Sequence, residues 1–160
     1  MSLTIAVIGP GQTATAAQEA TAEAVGQLLG EAGHVLVTGG HGGVMAAASR
    51  GASAAGGVTI GLLPGRDRRD ANADLTASIP TGLGELRNGL IVRSGDAVFC
   101  VGGSWGTLSE VALAVRTGVP IVMVDGWDLP EGGPIVAETP EEAVARAVEL
   151  ATERGVPGGS

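Results

Sequence analysis

The chain has 160 residues and a mass of 15.7 kDa, which is the size of one domain with its own core. All nine basic residues are arginine, and this lack of lysine excludes Schiff-base enzymes and P-loop enzymes that hold phosphate with a lysine. The net charge of −8 argues against a nucleic-acid polymer as partner. The single cysteine, Cys100, and the lack of a signal segment or a membrane-spanning apolar run favour a cytoplasmic protein with no membrane partner and no metal site.

Apolar segments of strand length alternate with helical segments along the chain, and glycines stand at nearly every junction. This rhythm predicts an α/β fold: a single doubly wound, Rossmann-like domain with a mainly parallel sheet and helices on both faces. The domain is predicted over residues 1–154, with a loose tail over 155–160. In chain order, the predicted segments are strand 3–8, helix 13–29, strand 34–38, helix 44–55, strand 58–63, a long polar loop 65–80 with a short strand 76–79, helix 84–93, strand 96–101, helix 107–116, strand 119–124 and helix 140–154.

Two glycine-rich loops, at residues 39–43 and 102–106, join a predicted strand to the helix that follows it. A helix N-terminus offers free N–H groups and a partial positive charge, and glycine lets the backbone approach a phosphate closely. Either loop alone is equally well explained as a tight turn, but the pair favours an anionic ligand. The dinucleotide fingerprint after the first strand is incomplete, which argues against an NAD dehydrogenase. The predicted phosphate-binding residues are Gly39, Gly40, Gly42, Gly43, Gly102, Gly103, Ser104 and Gly106.

The same two loops carry longer motifs. The segments Gly39-Gly40-His41-Gly42-Gly43-Val44-Met45 and Gly102-Gly103-Ser104-Trp105-Gly106-Thr107-Leu108-Ser109-Glu110 resemble the paired signatures of the LOG-type phosphoribohydrolases, formerly often labelled lysine decarboxylases. The wider pattern is still more similar to the branch that includes the molybdenum cofactor carrier proteins. That pattern comprises residues 59–64, residues 81–84 and Arg87-Asn88 ahead of Asp96-Ala97.

The resemblance implies a function and a set of site residues. The carrier branch binds a phosphorylated pterin, which implies that this chain binds a phosphorylated nucleotide-like or pterin-like small molecule, with the molybdenum cofactor as a candidate ligand. The LOG branch cleaves the N-glycosidic bond of nucleoside 5′-monophosphates and requires no cofactor for hydrolysis. It supplies the competing enzymatic hypothesis, in which Arg87 and Glu110 occupy the catalytic positions. The resemblance also adds Met45, Asn88 and Thr107 to the ligand-binding set and implies a homodimer or homotetramer.

Five of these side chains have a second explanation in the sequence. Thr107 and Glu110 also fit a capping box at the start of a helix, and Arg87 also fits a solvated helix residue. Trp105 can either stack on a planar ligand or close the core under its loop. His41 has no partner in the sequence, which is more typical of a loop residue than of a base or a metal ligand.

Overall fold

A seven-stranded sheet and five α-helices make up the computed structural model, which describes residues 1–155. The strands are β1 (Thr4–Ile8), β2 (Val35–Thr38), β3 (Val58–Leu63), β4 (Ala77–Pro80), β5 (Ala97–Val101), β6 (Ile121–Val124) and β7 (Ile135–Val136). The helices are α1 (Ala16–Glu31), α2 (Val44–Ala54), α3 (Arg87–Ser94), α4 (Trp105–Thr117) and α5 (Pro140–Gly155).

The strands lie in the order β4-β3-β2-β1-β5-β6-β7, and each neighbouring pair is parallel. Strand β1 is central, with Ile5 opposite Leu36 of β2 on one side and Ala97 of β5 on the other. From β1 the chain adds β2, β3 and β4 on one side of the sheet. It then crosses back to β5, on the other side of β1, and adds β6 and β7 there. The predicted doubly wound α/β fold is therefore confirmed, with a sheet that is parallel throughout its described strands.

Both faces of the sheet are covered, which explains why the central strands are apolar at consecutive positions. Val7 and Phe99 point to a core that α1, α2 and α5 complete. Ile8 and Cys100, their neighbours in sequence, point to a second core that α3 and α4 complete. All five residues of β5 are buried, as expected for a strand between two helical layers.

Helices α1 and α2 pack backbone against backbone through small residues. A Cβ at Gly26 of α1 would overlap with the carbonyl oxygen of Ala48, and a Cβ at Gly51 of α2 would overlap with that of Glu23. The many alanines and glycines of these two helices therefore bring the segments after β1 and β2 close together. The loop that follows each of these strands forms part of the cavity described below.

Several boundaries differ from the prediction. Helix α1 begins at Ala16 instead of residue 13, since Thr15 and Gln18 form a capping box with hydrogen bonds of 3.2 and 3.0 Å. Strand β2 begins at Val35 instead of residue 34. The predicted helix over 84–93 is split into a 3-10 turn, Gly84–Leu86, and α3. Gly84 has a φ of 58°, outside the right-handed helical region.

Helix α4 begins earlier than predicted, at Trp105, because the side chain of Ser104 accepts a hydrogen bond from the Thr107 N–H at 3.3 Å. The capping box of Thr107 with Glu110 is therefore wrong: Glu110 lies in the second turn and is buried. The loop over 102–106 is correspondingly shorter, because its last two residues belong to the helix.

The last third of the chain adds two differences. Strand β7 was not predicted, because two residues are too few for a periodic signal. Helix α5 includes Gly155, the first residue of the predicted tail, and residues 156–160 lie outside the described part of the chain. Among residues 1–155, no helix is both long enough and apolar enough to cross a membrane.

Candidate ligand-binding site

A cavity of about 500 Å³ opens at the carboxyl ends of β1, β2 and β5. The chain runs from β1 into α1 on one face of the sheet and from β5 into α4 on the other, so the cavity lies at the point where the winding direction reverses. Ligands of doubly wound folds characteristically bind at this point. The wall consists of Val7, Ile8, Gly9, Gly11, Gln12, Gly39, His41, Gly42, Met45, Arg87, Asn88, Ser104, Gly106, Thr107 and Glu110.

Two helix N-termini border the cavity and give it an electropositive wall. Helix α2 follows Gly43, and no side chain caps its first turn. Helix α4 follows Ser104, whose hydroxyl accepts from only one of the first-turn amides. Neither first turn carries an acidic residue. The first-turn N–H groups without an acceptor in the described structure belong to Met45 and Ala46 in α2 and to Trp105 and Gly106 in α4. These groups are available to an anion, which is the arrangement used by phosphate sites.

The loop before α2 is held by glycines and by a contact with the loop after β1. Gly43 has a φ of 63°, and a Cβ there would overlap with the carbonyl oxygen of Gly11. The Val44 N–H donates to the Pro10 carbonyl at 3.0 Å. The loops after β1 and β2 are thus pressed together, which places Gly9, Gly11 and Gln12 in the cavity wall.

Arg87, the first residue of α3, reaches the cavity from the far side of the sheet. Its Nη1 donates to the carbonyl oxygens of Gly39 and Leu62, both at 2.7 Å, and so ties the ends of β2 and β3 to α3. Its Nε is buried and has no acceptor among the described residues. Burial lowers the pKa of Arg87, while the charge of Glu110 acts in the opposite direction. A buried donor without a partner costs about 1–3 kcal/mol, which favours an oxygen ligand close to this guanidinium.

Glu110 presents a desolvated carboxyl group to the cavity. Its side chain is 7% exposed, and no described residue donates a hydrogen bond to it. Burial raises the pKa of Glu110 from 4.5 to about 7, although the charge of Arg87 pulls it down. No ion pair joins Glu110 to Arg87 in the described structure, so the two groups interact across space. A carboxyl group that is half protonated near neutral pH is able to donate or accept a proton.

The sequence of the chain matches a known protein family over almost its whole length. The model of the SLOG cluster4 family matches residues 2–153. The chain belongs to the SLOG cluster4 family. An uncharacterized protein of Archaeoglobus fulgidus is 42% identical to this SLOG protein over 149 residues, covering 88% of this chain and 91% of the relative.

Solved structures of molybdenum cofactor proteins share the fold of this SLOG protein. The molybdenum cofactor binding protein of Rippkaea orientalis superposes with a TM-score of 0.89 at 36% identity, covering 94% of this chain and 98% of that one. The molybdenum cofactor carrier protein of Chlamydomonas reinhardtii gives a TM-score of 0.84 at 33% identity, covering 95% and 99%. The predicted resemblance to the cofactor carrier branch is therefore confirmed.

Nine of the thirteen predicted site residues lie together in the cavity wall of this SLOG protein. The other four glycines stand behind the wall and shape it. Gly40 packs on the Leu63 side chain, Gly43 on the backbone of Gly11, and Gly102, with a φ of 63°, on the Gln18 side chain. Gly103 lies under the indole of Trp127, where a Cβ would come within 3.1 Å of the ring. The nine are Gly39, Gly42, Met45, Arg87, Asn88, Ser104, Gly106, Thr107 and Glu110.

The loop after β1 contributes wall residues that were not predicted as part of the site. Gly9, Gly11 and Gln12 line the cavity, as does His41, whose sequence context is typical of a loop residue. The glycines at the end of the first strand are the signal for this loop in the sequence, but the dinucleotide fingerprint that would identify them as ligand-binding is incomplete. Burial and the charge of Arg87 lower the pKa of His41, so this ring is neutral at physiological pH.

The remaining candidates for chemistry have structural roles. Among the described residues, no group of three or more histidine, cysteine, aspartate or glutamate side chains is placed to hold a metal ion. Cys100 is buried in β5, and burial raises the pKa of its thiol to about 12, so it packs as a small apolar side chain. Asp96 accepts a hydrogen bond from the Thr4 N–H at 2.8 Å and so ties the start of β5 to β1.

Proposed function

We propose that this SLOG protein binds a phosphorylated nucleotide-like or pterin-like small molecule in the cavity and acts as its carrier. The observation that carries the proposal is the uncapped N-terminus of α2 beside the guanidinium of Arg87, whose buried Nε lacks an acceptor in the described residues. A phosphate in the cavity meets the free amides of the helix and lies beside the Arg87 guanidinium, which lines the same cavity.

The solved relatives support the molybdenum cofactor as the ligand, because two of them are molybdenum cofactor binding or carrier proteins. The chemistry of the cavity fits a phosphorylated pterin: amide donors and an arginine serve the phosphate, and a volume of about 500 Å³ is of the size that holds a small organic molecule. In this proposal the molybdenum cofactor is cargo that the protein carries.

Equilibrium titration tests the phosphate requirement directly. AMP and GMP are expected to bind measurably, whereas adenosine and guanosine, which differ by the phosphate alone, are expected to bind at least tenfold more weakly because they lose the charge-assisted hydrogen bonds. Mass spectrometry of small molecules that copurify with the protein would identify the natural cargo. Equal affinity for nucleotide and nucleoside contradicts the proposal.

Glu110 favours a second candidate function, a phosphoribohydrolase. In that reaction water adds its hydroxyl to the anomeric carbon, the N-glycosidic bond breaks, and the departing base takes a proton. A buried carboxyl group with a pKa of about 7 is suited to move that proton or to stabilise the positive charge that develops on the sugar. Arg87 would hold the phosphate and orient the ribose.

A base-release assay separates the two functions. Wild-type protein is incubated with AMP, GMP, CMP, UMP and IMP, and free base is measured beside a binding titration with the same compounds. Binding without release supports the carrier. Release that Glu110→Gln abolishes, while nucleotide affinity stays within a few-fold, supports the hydrolase, because the carboxyl group then acts in the transition state.

We also propose that the protein acts in the cytoplasm as a homodimer or homotetramer. The support for the assembly is an exposed apolar face formed by α3, α4 and the 3-10 turn before α3, where Leu86 is 80% exposed and Leu90 and Leu113 are also exposed. Glu85 and Arg116 lie on the same face, so two copies related by a two-fold axis can pair opposite charges across it.

A further inference from the structure

The indole of Trp105 is the largest exposed apolar group beside the cavity. It is 84% exposed, which removes the explanation that it closes the core under its loop. The chain has three aromatic residues in all, two tryptophans and one phenylalanine, and the phenylalanine is buried in the core. One of these three large rings is therefore left in solvent, where its apolar surface is unfavourable unless something covers it.

The position of Trp105 connects it to the cavity. Its two chain neighbours, Ser104 and Gly106, both line the wall, so the backbone of Trp105 lies at the edge of the site, although its indole is not part of the wall itself. It is also held by a neighbour: its ring centroid is 6.1 Å from that of Trp127, with 39° between the ring planes. Trp127 in turn rests on Gly103, where no side chain separates the indole from the backbone.

We propose that Trp105, supported by Trp127, is a stacking platform for the planar heteroaromatic ring of the bound ligand. This inference rests on the proposed function, because the phosphate of the same molecule occupies the helix N-termini inside the cavity. Indole rings stack on any flat heterocycle with little dependence on its substituents. The platform would therefore hold the ring, while the amides and Arg87 would hold the phosphate.

The competing occupant of this indole is a second copy of the chain. Trp105 lies on α4 at helical spacing from Ser109, Ala112 and Leu113, which belong to the exposed face of α3 and α4. The stacking proposal is favoured because the partner of the indole, Trp127, belongs to the loop after β6 and not to that face.

The test compares two phosphorylated probes that differ in the ring. AMP carries a phosphate and a purine, and ribose 5-phosphate carries the phosphate without a ring. Trp105→Ala is expected to weaken AMP binding about tenfold and to change ribose 5-phosphate binding less than twofold, because stacking is lost while the phosphate contacts stay. Trp105→Phe, which keeps a smaller ring, is expected to recover most of the AMP affinity.

A spectroscopic arm uses the absence of tyrosine from the chain. In Trp127→Phe, Trp105 is the only tryptophan, so the intrinsic fluorescence comes from Trp105. AMP is expected to quench this fluorescence, whereas ribose 5-phosphate is expected to leave it unchanged. Unchanged AMP affinity in Trp105→Ala overturns the proposal, and a simultaneous drop in the mass measured by light scattering assigns the indole to the contact between copies. Equal weakening of both probes also overturns it. Failure of the wild-type protein to bind either probe refutes the proposed function itself.

Discussion

Burial disfavours the ionised form of Glu110 and so makes the stability of the protein depend on pH. The folded chain keeps its proton between pH 4.5 and about 7, where the unfolded chain releases it. The folded state therefore binds more protons, and the contribution of Glu110 to the free energy of unfolding falls as the pH rises through this window. The shift corresponds to a penalty on the order of 3 kcal/mol above pH 7.

Glu110→Gln is expected to stabilise the protein above pH 7 and to change it little at pH 4.5, since the amide has the same shape and no charge to desolvate. Urea unfolding of both proteins at pH 8 and at pH 4.5 measures the difference. A stability difference that is the same at both pH values would show that the carboxylate is not penalised by burial. The same unfolding curves show whether Glu110→Gln is folded under the conditions of the base-release assay.

His34 is a buried histidine that titrates in the opposite sense. Its Nδ1 accepts a hydrogen bond from the Leu3 N–H at 3.2 Å, which requires an unprotonated nitrogen. Burial lowers the pKa of His34, with a smaller effect from the charge of the N-terminal amino group. The unfolded chain then binds the proton more readily, so stability is lost as the pH falls below about 6.5.

His34→Gln keeps a hydrogen-bond acceptor and removes the titration. Its stability is expected to fall less than that of the wild type between pH 7.5 and pH 5.5, measured as the shift in urea midpoint. His41→Gln provides the comparison, because burial lowers the pKa of His41 as well. Identical pH profiles for wild type and His34→Gln would mean that the Leu3 contact does not depend on the protonation of this ring.

The packing of α1 on α2 depends on the absence of side chains at their contact. A Cβ at Gly51 would overlap with the Glu23 carbonyl oxygen of α1, whereas a Cβ at Gly89 in α3 meets nothing within 4 Å. Gly89→Ala is expected to stabilise by about 0.5–1 kcal/mol, because alanine has the higher helix propensity. Gly51→Ala is expected to destabilise by roughly 1–3 kcal/mol, because the helices must separate.

These two variants form a matched pair, since both exchange a helical glycine for alanine. Chemical denaturation measured side by side gives the two free energies of unfolding. The interpretation fails if both variants are stabilised, because the α1–α2 contact would then have room for the methyl group. The Gly51 variant should also bind AMP less tightly, as α2 carries the uncapped N-terminus.

The loop before α2 offers a direct test of the anion site. Gly42 lines the cavity, and a Cβ there meets no atom within 4 Å, so the fold has room for a side chain to begin at this position. Gly42→Val is expected to weaken AMP binding at least tenfold, because the isopropyl group keeps a phosphate away from the loop amides. Unchanged affinity in a variant that melts like the wild type would place the phosphate elsewhere.

Assembly is tested through the apolar face of α3 and α4. Leu86→Glu and Leu113→Glu each place a charge on this face and are expected to convert the oligomer to a monomer. Val136→Glu is the control, because Val136 is 68% exposed but lies on the edge strand β7. Light scattering at micromolar concentration measures the mass. A wild-type protein with the mass of one chain refutes the assembly, and a monomeric Val136→Glu places the contact at the sheet edge instead.

Much of the fold was predictable because its signals are local. Runs such as 97–101, with a glycine after the last apolar residue, mark a buried strand without any knowledge of what covers it. The alternation of strands and helices then leaves the parallel doubly wound sheet as the natural arrangement. The predicted helix ends were wrong where a capping side chain determines them. Thr15 caps α1 and shortens it, and Ser104 caps α4 and lengthens it. The spacing of apolar residues along a helix does not reveal which residue caps it.

The composition of the site was predictable in part for the same reason. Glycine loops that end a strand and start a helix can be recognised in the sequence, and the loops at 39–43 and 102–106 do border the cavity. Their glycines divide into two groups, however. Gly42 and Gly106 face the cavity, whereas Gly43 and Gly102 have positive φ values and make room for other parts of the chain. Local pattern does not distinguish these roles, because both require a missing side chain.

The sequence established the order of the strands and helices, the glycine loops and the family motifs, since these depend on neighbours along the chain. Long-range packing established the rest. The contact of the β1 loop with Gly43, the two carbonyls held by Arg87, the burial that raises the pKa of Glu110 and the exposure of Trp105 all join segments that are distant in sequence. A side chain loses its contact with water, or a donor loses its acceptor, only when those segments pack around it. These properties therefore exist only in the folded structure and cannot be read from the sequence.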